Sequence, residues 1–555
     1  MPARLIFIAA IVVLISACAV YVGGDRVTSV PAPADLVIRD VKVYDPIDGF
    51  VGSAIAIQNE VIIAIGDEDT IRSYEGRRTR VLDADGGLLI PGIQDAHGHI
   101  ANLGFDLDQA DLRGAASEEE LVSRVAAFAK NQPDSWILGR GWDQNLWPKQ
   151  QFPTRAPLDA ATGSRPAYLT RIDGHAALVN SVILQMAGID KNTKDPAGGR
   201  ILRDDRGEPT GVLVDAAMDL IDRIRPGRTS VDRERAFLRA QKVLLASGIT
   251  AVHDAGLSRE DQAVLQDLEE RGKLTMRIYG MASAGQIPPR PFSNRYFELR
   301  AVKAYADGAL GSRGAALLAP YADEPGQSGL LVTPEAELLT IAEACLKRGF
   351  QLCTHAIGDR GNRVALDVYQ SAFAKNNIKT SDNNLRWRIE HCQVVAPGDF
   401  ERYKTLGLIA SMQPTHCTSD GPWAPARIGN ERMAGAYAWR RFMDLNIPIA
   451  FGSDFPVEKH DPRLGIVASI TRRPPEDLQH SPFAGSPLTI HEAVKAFTTD
   501  AAYASFHEHD RGRIQPGYAA DLTIFDRDFI QSAAADDVLR ANVVWTIVAG
   551  KIVYN

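Results

Sequence analysis

The sequence predicts an α/β protein built on a closed barrel of β/α units, with a long insertion and a small β unit contributed by both chain ends. Three observations carry this reading. Through the middle of the chain, short β-branched or apolar runs alternate with longer amphipathic stretches, the pattern of a parallel sheet with helical crossovers. Eight such runs end at His97/His99, His253, Met281, Lys303, His355, His391, Met412 and Asp454, a number that suits closure. The two ends share a third texture, short alternating runs broken by Gly, Asn and Asp, which reads as β-hairpins.

The elements follow in order. Arg4 precedes an apolar run from Leu5 to Ile15 and then Ser16-Ala17-Cys18, which reads as an export signal. Ile15-Ser-Ala-Cys18 resembles a bacterial lipobox, in which the cysteine thiol is lipidated and becomes the mature N-terminus, so residues 1–18 are expected to be a lipoprotein signal peptide. The competing reading extends the run through Val22 as an uncleaved anchor, about 18 residues from Leu5. Either way the bulk of the protein is expected outside the cytoplasm, joined to the membrane by a linker over 19–34. The first β part covers 35–90 and the second 511–555, with Ala549-Gly550-Lys551 as a turn candidate. The barrel spans 91–510. Roughly 140 residues separate Ile100 from the next barrel run near Val243, far too many for a simple loop, so an inserted α/β subdomain is expected over about 101–242.

Composition bounds the rest. The 555 residues are 45% hydrophobic and 23% charged, ordinary for a globular chain with ample core. The 61 basic and 69 acidic residues leave a net charge of −8, which counts against a nucleic-acid partner. Cys345, Cys353, Cys392 and Cys417 fit no CxxC zinc spacing and are read as small buried residues rather than a disulfide framework.

The chemistry is concentrated in Leu89-Ile-Pro-Gly-Ile-Gln-Asp-Ala-His-Gly-His-Ile100. His97 and His99 are two apart, so in extended backbone both rings face one side and can share a divalent ion. Alone, such a pair is as well explained by local hydrogen bonding. It is joined by His355, His391 and Asp454, each closing a strand run, and the C-terminal strand ends of a β/α barrel converge on one mouth. Four imidazoles and a carboxylate suit zinc or a similar first-row ion better than calcium or magnesium. Lys303 lies on a largely apolar strand run. An inward lysine beside metals would be deprotonated and could take up carbon dioxide as an anionic carbamate bridge; an edge lysine reaching to solvent is the equal alternative.

The segments PGIQDAHGH, VKAYADGALGSR, THAIGDRGN, RIEHCQ, SMQPTH and GSDFPVE, followed by LTIHEAVKAFTTDAAYA and GRIQPGYAADLTIFD, resemble amidohydrolase family 3. More narrowly, with GRGWDQNLWP and RIDGHAALVN in the insertion, they are similar to its N-substituted formamide deformylase-like branch, over nearly everything from Ala34 to Asn555. The resemblance implies a distorted (β/α)8 TIM barrel with a small β-sandwich made from both chain ends. It implies that His97, His99 and Asp454 bind the more buried ion, that Lys303 is the carboxylated bridge, and that His355 and His391 hold the second ion, with one or two ions per chain. It implies hydrolysis of an amide, N-acyl or N-formyl C–N bond of a small molecule by a metal-activated hydroxide, with Asp454 as general base and then acid.

Weaker substrate-contact candidates are His416 after the seventh strand run, His253 at the end of the second, and Trp142, Asp143 and His175 in the insertion. For His253 a structural hydrogen bond, and for Trp142 core packing, are the bland alternatives. The metal residues alone do not separate amide hydrolysis from hydrolysis of lactones, carbamates or phosphoesters at the same site. A non-catalytic surface binding lipoprotein is the reading from another class, but it leaves Asp454 without a task. A homo-dimer is expected by fold analogy only.

Overall fold

The computed structural model describes residues 32–555 apart from 131–135, 145–146, 150, 172–175, 197–198, 226, 312, 381–383 and 479–484. The expected signal peptide, with Cys18, lies outside the described residues. Among those described, no helix is long and apolar enough to cross a membrane.

Both chain ends meet in one sheet. Its central strand, Arg80–Pro91, pairs in parallel with Leu36–Asp45 and antiparallel with Leu522–Phe525, so the two terminal segments are joined by backbone hydrogen bonds. Ala54–Gln58 and Val61–Gly66 extend one side, Val543–Val548 and Lys551–Tyr554 the other. Bulges bend the sheet. Asp40 has a positive φ of 48°, and the register of Leu36–Asp45 shifts there. The shift reverses side-chain alternation, so Leu36 and Ile38 before it and Val41 and Val43 after it enter the same apolar core, with Leu522, Ile524 and Ile547 from the C-terminus. The expected turn is present, with Ala549 and Gly550 both at positive φ, as a two-residue hairpin of matching twist requires.

The barrel strands are β1 (Ile93–Gly98), β2 (Ile249–Leu257), β3 (Arg277–Ser283), β4 (Phe297–Tyr305), β5 (Gln351–Ala356), β6 (Arg388–His391), β7 (Ile409–Met412) and β8 (Ile449–Phe451). They run in parallel in sequence order, each bonded to the next. The closing seam joins the chain just past β8 to β1: Asp454 N donates to the His97 carbonyl at 2.7 Å and His99 N to that of Phe455 at 2.9 Å. A Cβ on Gly452 would stand 2.4 Å from the His97 amide nitrogen, so the approach requires glycine. Buried Asp95 locks the seam by accepting from His97 N and from the amide and hydroxyl of Ser453. Helices such as Glu335–Arg348 and Asp359–Lys375 turn apolar faces onto the strands.

Two strand ends differ from expectation by more than two residues. β2 continues four residues beyond His253, to Leu257, because Asp254-Ala255-Gly256 stays extended, so His253 is mid-strand. β8 stops at Phe451, and Asp454 sits on the loop that follows. The insertion carries its own six-stranded mixed sheet, from Ala110–Asp111 to Pro209–Asp215, flanked by helices including Glu118–Lys130 and Arg155–Thr162. The helix Ser230–Ala246 already belongs to the barrel: its Phe237, Ala240, Leu244 and Leu245 join the barrel core. All four described cysteines are free and buried.

Candidate metal centre

At the C-terminal mouth of the barrel lies a cavity of about 400 Å3. His97, His99, Lys303, His355, His391, His416 and Asp454 all line it. The strand ends deliver them. β1 places His97 and, one residue past its end, His99. β4 carries Lys303, β5 His355 and β6 His391. His391 and Asp454 adopt left-handed backbone, with φ of 75° and 62°. That conformation is costly for non-glycine residues by about 1–3 kcal/mol each and recurs where function needs a side chain re-aimed. Here it is held in place by the seam bond from Asp454 N and by a 2.8 Å contact between His391 Nδ1 and Gln413 Oε1.

The rings pack closely, with centroids 4.8 Å apart for His97 and His391 and 4.5 Å for His355 and His391. Crowding of buried imidazoles keeps them neutral. Burial and then the nearby Lys303 ammonium push His97 down to about 4 and His355 to about 3. Burial and then His355 hold His391 well below the ordinary histidine range. Burial likewise lowers Lys303, whose Nζ lies 3.1 Å from His97 Nε2. Neutral imidazole is the form that offers a lone pair to a metal, and burial makes the lysine release its proton more readily.

Asp454 behaves oppositely. Burial opposes its ionisation, but the hydrogen bond from His416 and the close approach of His99 hold it well below the carboxylate range. Its Oδ2 is 3.2 Å from His416 Nε2. Its buried Oδ1 lies 3.1 Å from His99 Nε2 and 3.6 Å from His97 Nε2, yet accepts no well-aligned hydrogen bond. One donor atom from each of His97, His391 and Asp454 lies within 4.8 Å of the others. A carboxylate oxygen left without an aligned donor among imidazole nitrogens is an arrangement a cation completes, so the residues fit a divalent metal.

Several residues here were not singled out in the sequence. Glu390 takes His97 Nδ1 at 2.5 Å. Glu458 contacts His416 Nδ1 at 3.3 Å, so that burial notwithstanding, Asp454 and Glu458 together hold His416 well above its ordinary value. Asp307 accepts the amides of Ala316, Ile357 and Gly358 and fixes the loop beside His355. Tyr305, Leu310, Ile357, Trp423 and Val457 form the apolar wall. The charged pair in Arg388-Ile389-Glu390, two apart on an otherwise apolar run, was the available signal for Glu390, since both must share one face.

Three predicted substrate residues are elsewhere. Trp142 is wholly buried in the core of the insertion, its Nε1 donating to the Leu169 carbonyl at 2.8 Å, so its ring packs rather than lines the cavity. Asp143 pairs with Arg171 at 2.7 Å and is not among the lining residues. His253, being mid-strand, points inside the barrel below the mouth, where its Nδ1 meets Arg388 at 2.9 Å. His175 lies outside the described residues.

Residues 80–554 match the model of the amidohydrolase family. The chain belongs to that family. It is 32% identical to the putative amidohydrolase YtcJ of Bacillus subtilis, over 90% of this chain and 96% of that protein. It is also 32% identical to the protein LONG AFTER FAR-RED 3 of Arabidopsis thaliana, over 94% and 92%. It is 26% identical to an N-substituted formamide deformylase of Arthrobacter pascens, over 90% and 94%. Among solved structures, a metal-dependent hydrolase from Pyrococcus furiosus superposes with a TM-score of 0.74 at 29% identity, covering 89% of this chain and 99% of that one. Membership makes this amidohydrolase a metal-dependent hydrolase with a small-molecule substrate.

Proposed function

We propose that this amidohydrolase cleaves an amide, N-acyl or N-formyl C–N bond outside peptides, with Asp454 as the proton-transfer group. The observation that carries the reading is the buried Asp454, held well below the carboxylate range with one oxygen free of aligned hydrogen bonds, among the histidines of an open cavity. His97, His99 and Asp454 would hold one ion, His355 and His391 a second. Lys303 would bridge them after its neutral amine adds to carbon dioxide and loses a proton. Nitrogen-rich ligands with one carboxylate suit zinc. When bound, the metal lowers the proton affinity of water and polarises the scissile carbonyl.

The chain's own residues do the rest. Asp454 accepts the proton of the attacking water and returns it to the leaving nitrogen. His416, between Asp454 Oδ2 and Glu458 Oε1, keeps the carboxylate turned to the cavity. Tyr305, Leu310, Ile357, Trp423 and Val457 offer apolar surface to the substrate's organic part and exclude bulk water. The relative named as an N-substituted formamide deformylase supports starting with N-formyl amines.

Elemental mass spectrometry on a chain starting after Cys18, wild type against Lys303→Ala, tests the centre. Two ions in the wild type, with at least one lost in the variant, are expected; one ion unaffected by the substitution makes Lys303 structural. Turnover of matched amide and ester substrates tests the bond, and ester cleavage alone would overturn the amide assignment. We further propose export and lipidation at Cys18, supported by Arg4, the apolar run and the small residues before the cysteine. Mass spectrometry of the mature N-terminus should find a diacylglyceryl cysteine, and an intact Met1 would refute it.

A further inference from the structure

Below the metal centre, the barrel interior is crossed by a single arginine. Alternation on β6 sends Arg388 and Glu390 to one side of the strand, and both are wholly buried. Arg388 Nη1 donates to His253 Nδ1 on β2 at 2.9 Å. Its Nη2 is 2.6 Å from the Ala96 carbonyl on β1, 2.7 Å from Ser411 Oγ on β7 and 3.0 Å from Glu390 Oε2. Its Nε stands 2.7 Å from Glu390 Oε1, off the line of a hydrogen bond, so that contact is ionic. The same Glu390 Oε2 meets His97 Nδ1 at 2.5 Å. Neither charged residue lines the cavity.

A buried ion pair whose only task is to staple a barrel has no need of a bond to a ligand histidine. Taking two charges out of water is expensive, and apolar residues of similar volume would pack the interior at no such cost. What this pair achieves is orientation. Imidazole has two nitrogens, and only the one without a proton can bind a cation; a carboxylate on Nδ1 selects the tautomer whose Nε2 is free. A carboxylate alone on a strand could rotate. The planar guanidinium, bonded to three other strands, removes that freedom.

We propose that Arg388 and Glu390 are the positioning residues of His97: Glu390 accepts the Nδ1 proton and aims Nε2 into the cavity, and Arg388 fixes Glu390 against β1, β2 and β7. This rests on the reading of His97 as a metal ligand given above. It assigns His253 a task as well, as the neutral acceptor that holds the far end of the guanidinium.

Two variants test it. Glu390→Gln keeps an acceptor for Nδ1 but loses the charge. The double variant Arg388→Met/Glu390→Met removes both groups without leaving a buried unpaired charge. Zinc affinity by chelator competition is expected to fall by about 10–100-fold in the double variant and by less in Glu390→Gln. The rise in Tm on adding zinc should shrink in step. Long-range 15N spectra of histidine-labelled, metal-free protein supply an independent readout: His97 stays in the Nδ1–H tautomer in wild type and Glu390→Gln, and leaves it in the double variant. A lower metal-free Tm with wild-type zinc affinity and an unchanged tautomer would make the pair a staple and overturn the proposal. If the double variant does not fold, undiminished zinc affinity in Glu390→Gln overturns it alone. If the wild type takes up no zinc, the reading of the centre fails, and the tautomer still decides whether Glu390 orients His97.

Discussion

At the mouth of the barrel and at its floor, the buried carboxylates are completed differently, although His253 Nε2 and Arg511 Nε lack aligned partners at the floor as well. On the floor, Arg277 grips Asp521 through two contacts, of 2.5 and 3.0 Å, and His507 is bonded on both ring nitrogens, to Glu298 at 2.7 Å and to Asp510 at 3.0 Å. The space left there is about 10 Å3, room for about one water. At the mouth, Asp454 keeps an unbonded oxygen, three imidazoles are held neutral, and the space is about 400 Å3. Burial of polar groups therefore does not mark a reactive site. An ionised acceptor left without an aligned donor, beside open volume, does.

The comparison predicts two substitutions with opposite signatures. Asp454→Asn, the larger, should lower kcat by about 10²–10⁴-fold, the usual contribution of a proton-transfer group, while leaving the far-ultraviolet circular dichroism as in the wild type. Wild-type kcat in that variant removes Asp454 from the chemistry and with it the distinction between mouth and floor. Asp521→Asn should do the reverse. It leaves the Arg277 guanidinium buried opposite a neutral amide, a loss of about 3–5 kcal/mol in denaturant unfolding, with kcat per folded molecule unchanged. A drop in kcat with stability intact would make the floor part of the catalytic machinery.

These two layers were unequally legible in the sequence. The residues gathered at the mouth were readable because β/α topology brings strand ends together, so residues far apart in sequence, such as His97 and His355, predict one another. The strands themselves were readable for the same reason. Glu390 and Arg388 were not singled out, because a charge next to a ligand histidine has no spacing rule of its own; only the bonded geometry shows that one serves the other. Glu458 was missed because it lies on a loop after β8, where no periodicity operates. The error at His253 came from ending a strand at its histidine, when the strand runs four residues further, to Leu257. Trp142 and Asp143 were misplaced for a different reason. Which way an inserted sheet turns its two faces depends on packing, and a conspicuous aromatic is more often core than contact.

The pH dependence of stability should report on histidines of both layers without mutation. In metal-free protein, His97 and His355 titrate near 4 and 3 when folded, below the ordinary 6.5, so the unfolded chain binds more protons between those values. Their contribution to stability is complete above about pH 6.5 and is lost as the pH falls toward 4 and then 3. His507 has the opposite sign. Burial opposes its protonation, but its bonds to Asp510 and Glu298 raise it, so its contribution is complete below the ordinary histidine value and is lost as the pH rises through the raised one. Denaturant unfolding across pH with chelator present should show both limbs. Zinc should move the acid limb, and His507→Gln should shrink the alkaline limb without moving the acid one, the part that remains belonging to the raised His416 at the mouth. An acid limb that zinc does not shift would detach the mouth histidines from metal binding.

The smallest effect concerns the insertion. If its sheet serves the barrel as scaffold, Trp142→Phe removes one hydrogen bond to the Leu169 carbonyl and part of a ring from a closed core. Leaving that carbonyl unsatisfied costs about 1–3 kcal/mol of stability. KM and kcat should both be unchanged, since the ring reaches no part of the cavity wall. A raised KM at unchanged stability would mean that the insertion closes over the mouth during turnover and brings Trp142 to the substrate, the role first expected of it. The contrast between a finished interior and an open mouth would then hold for the barrel alone, with the insertion belonging to the open side.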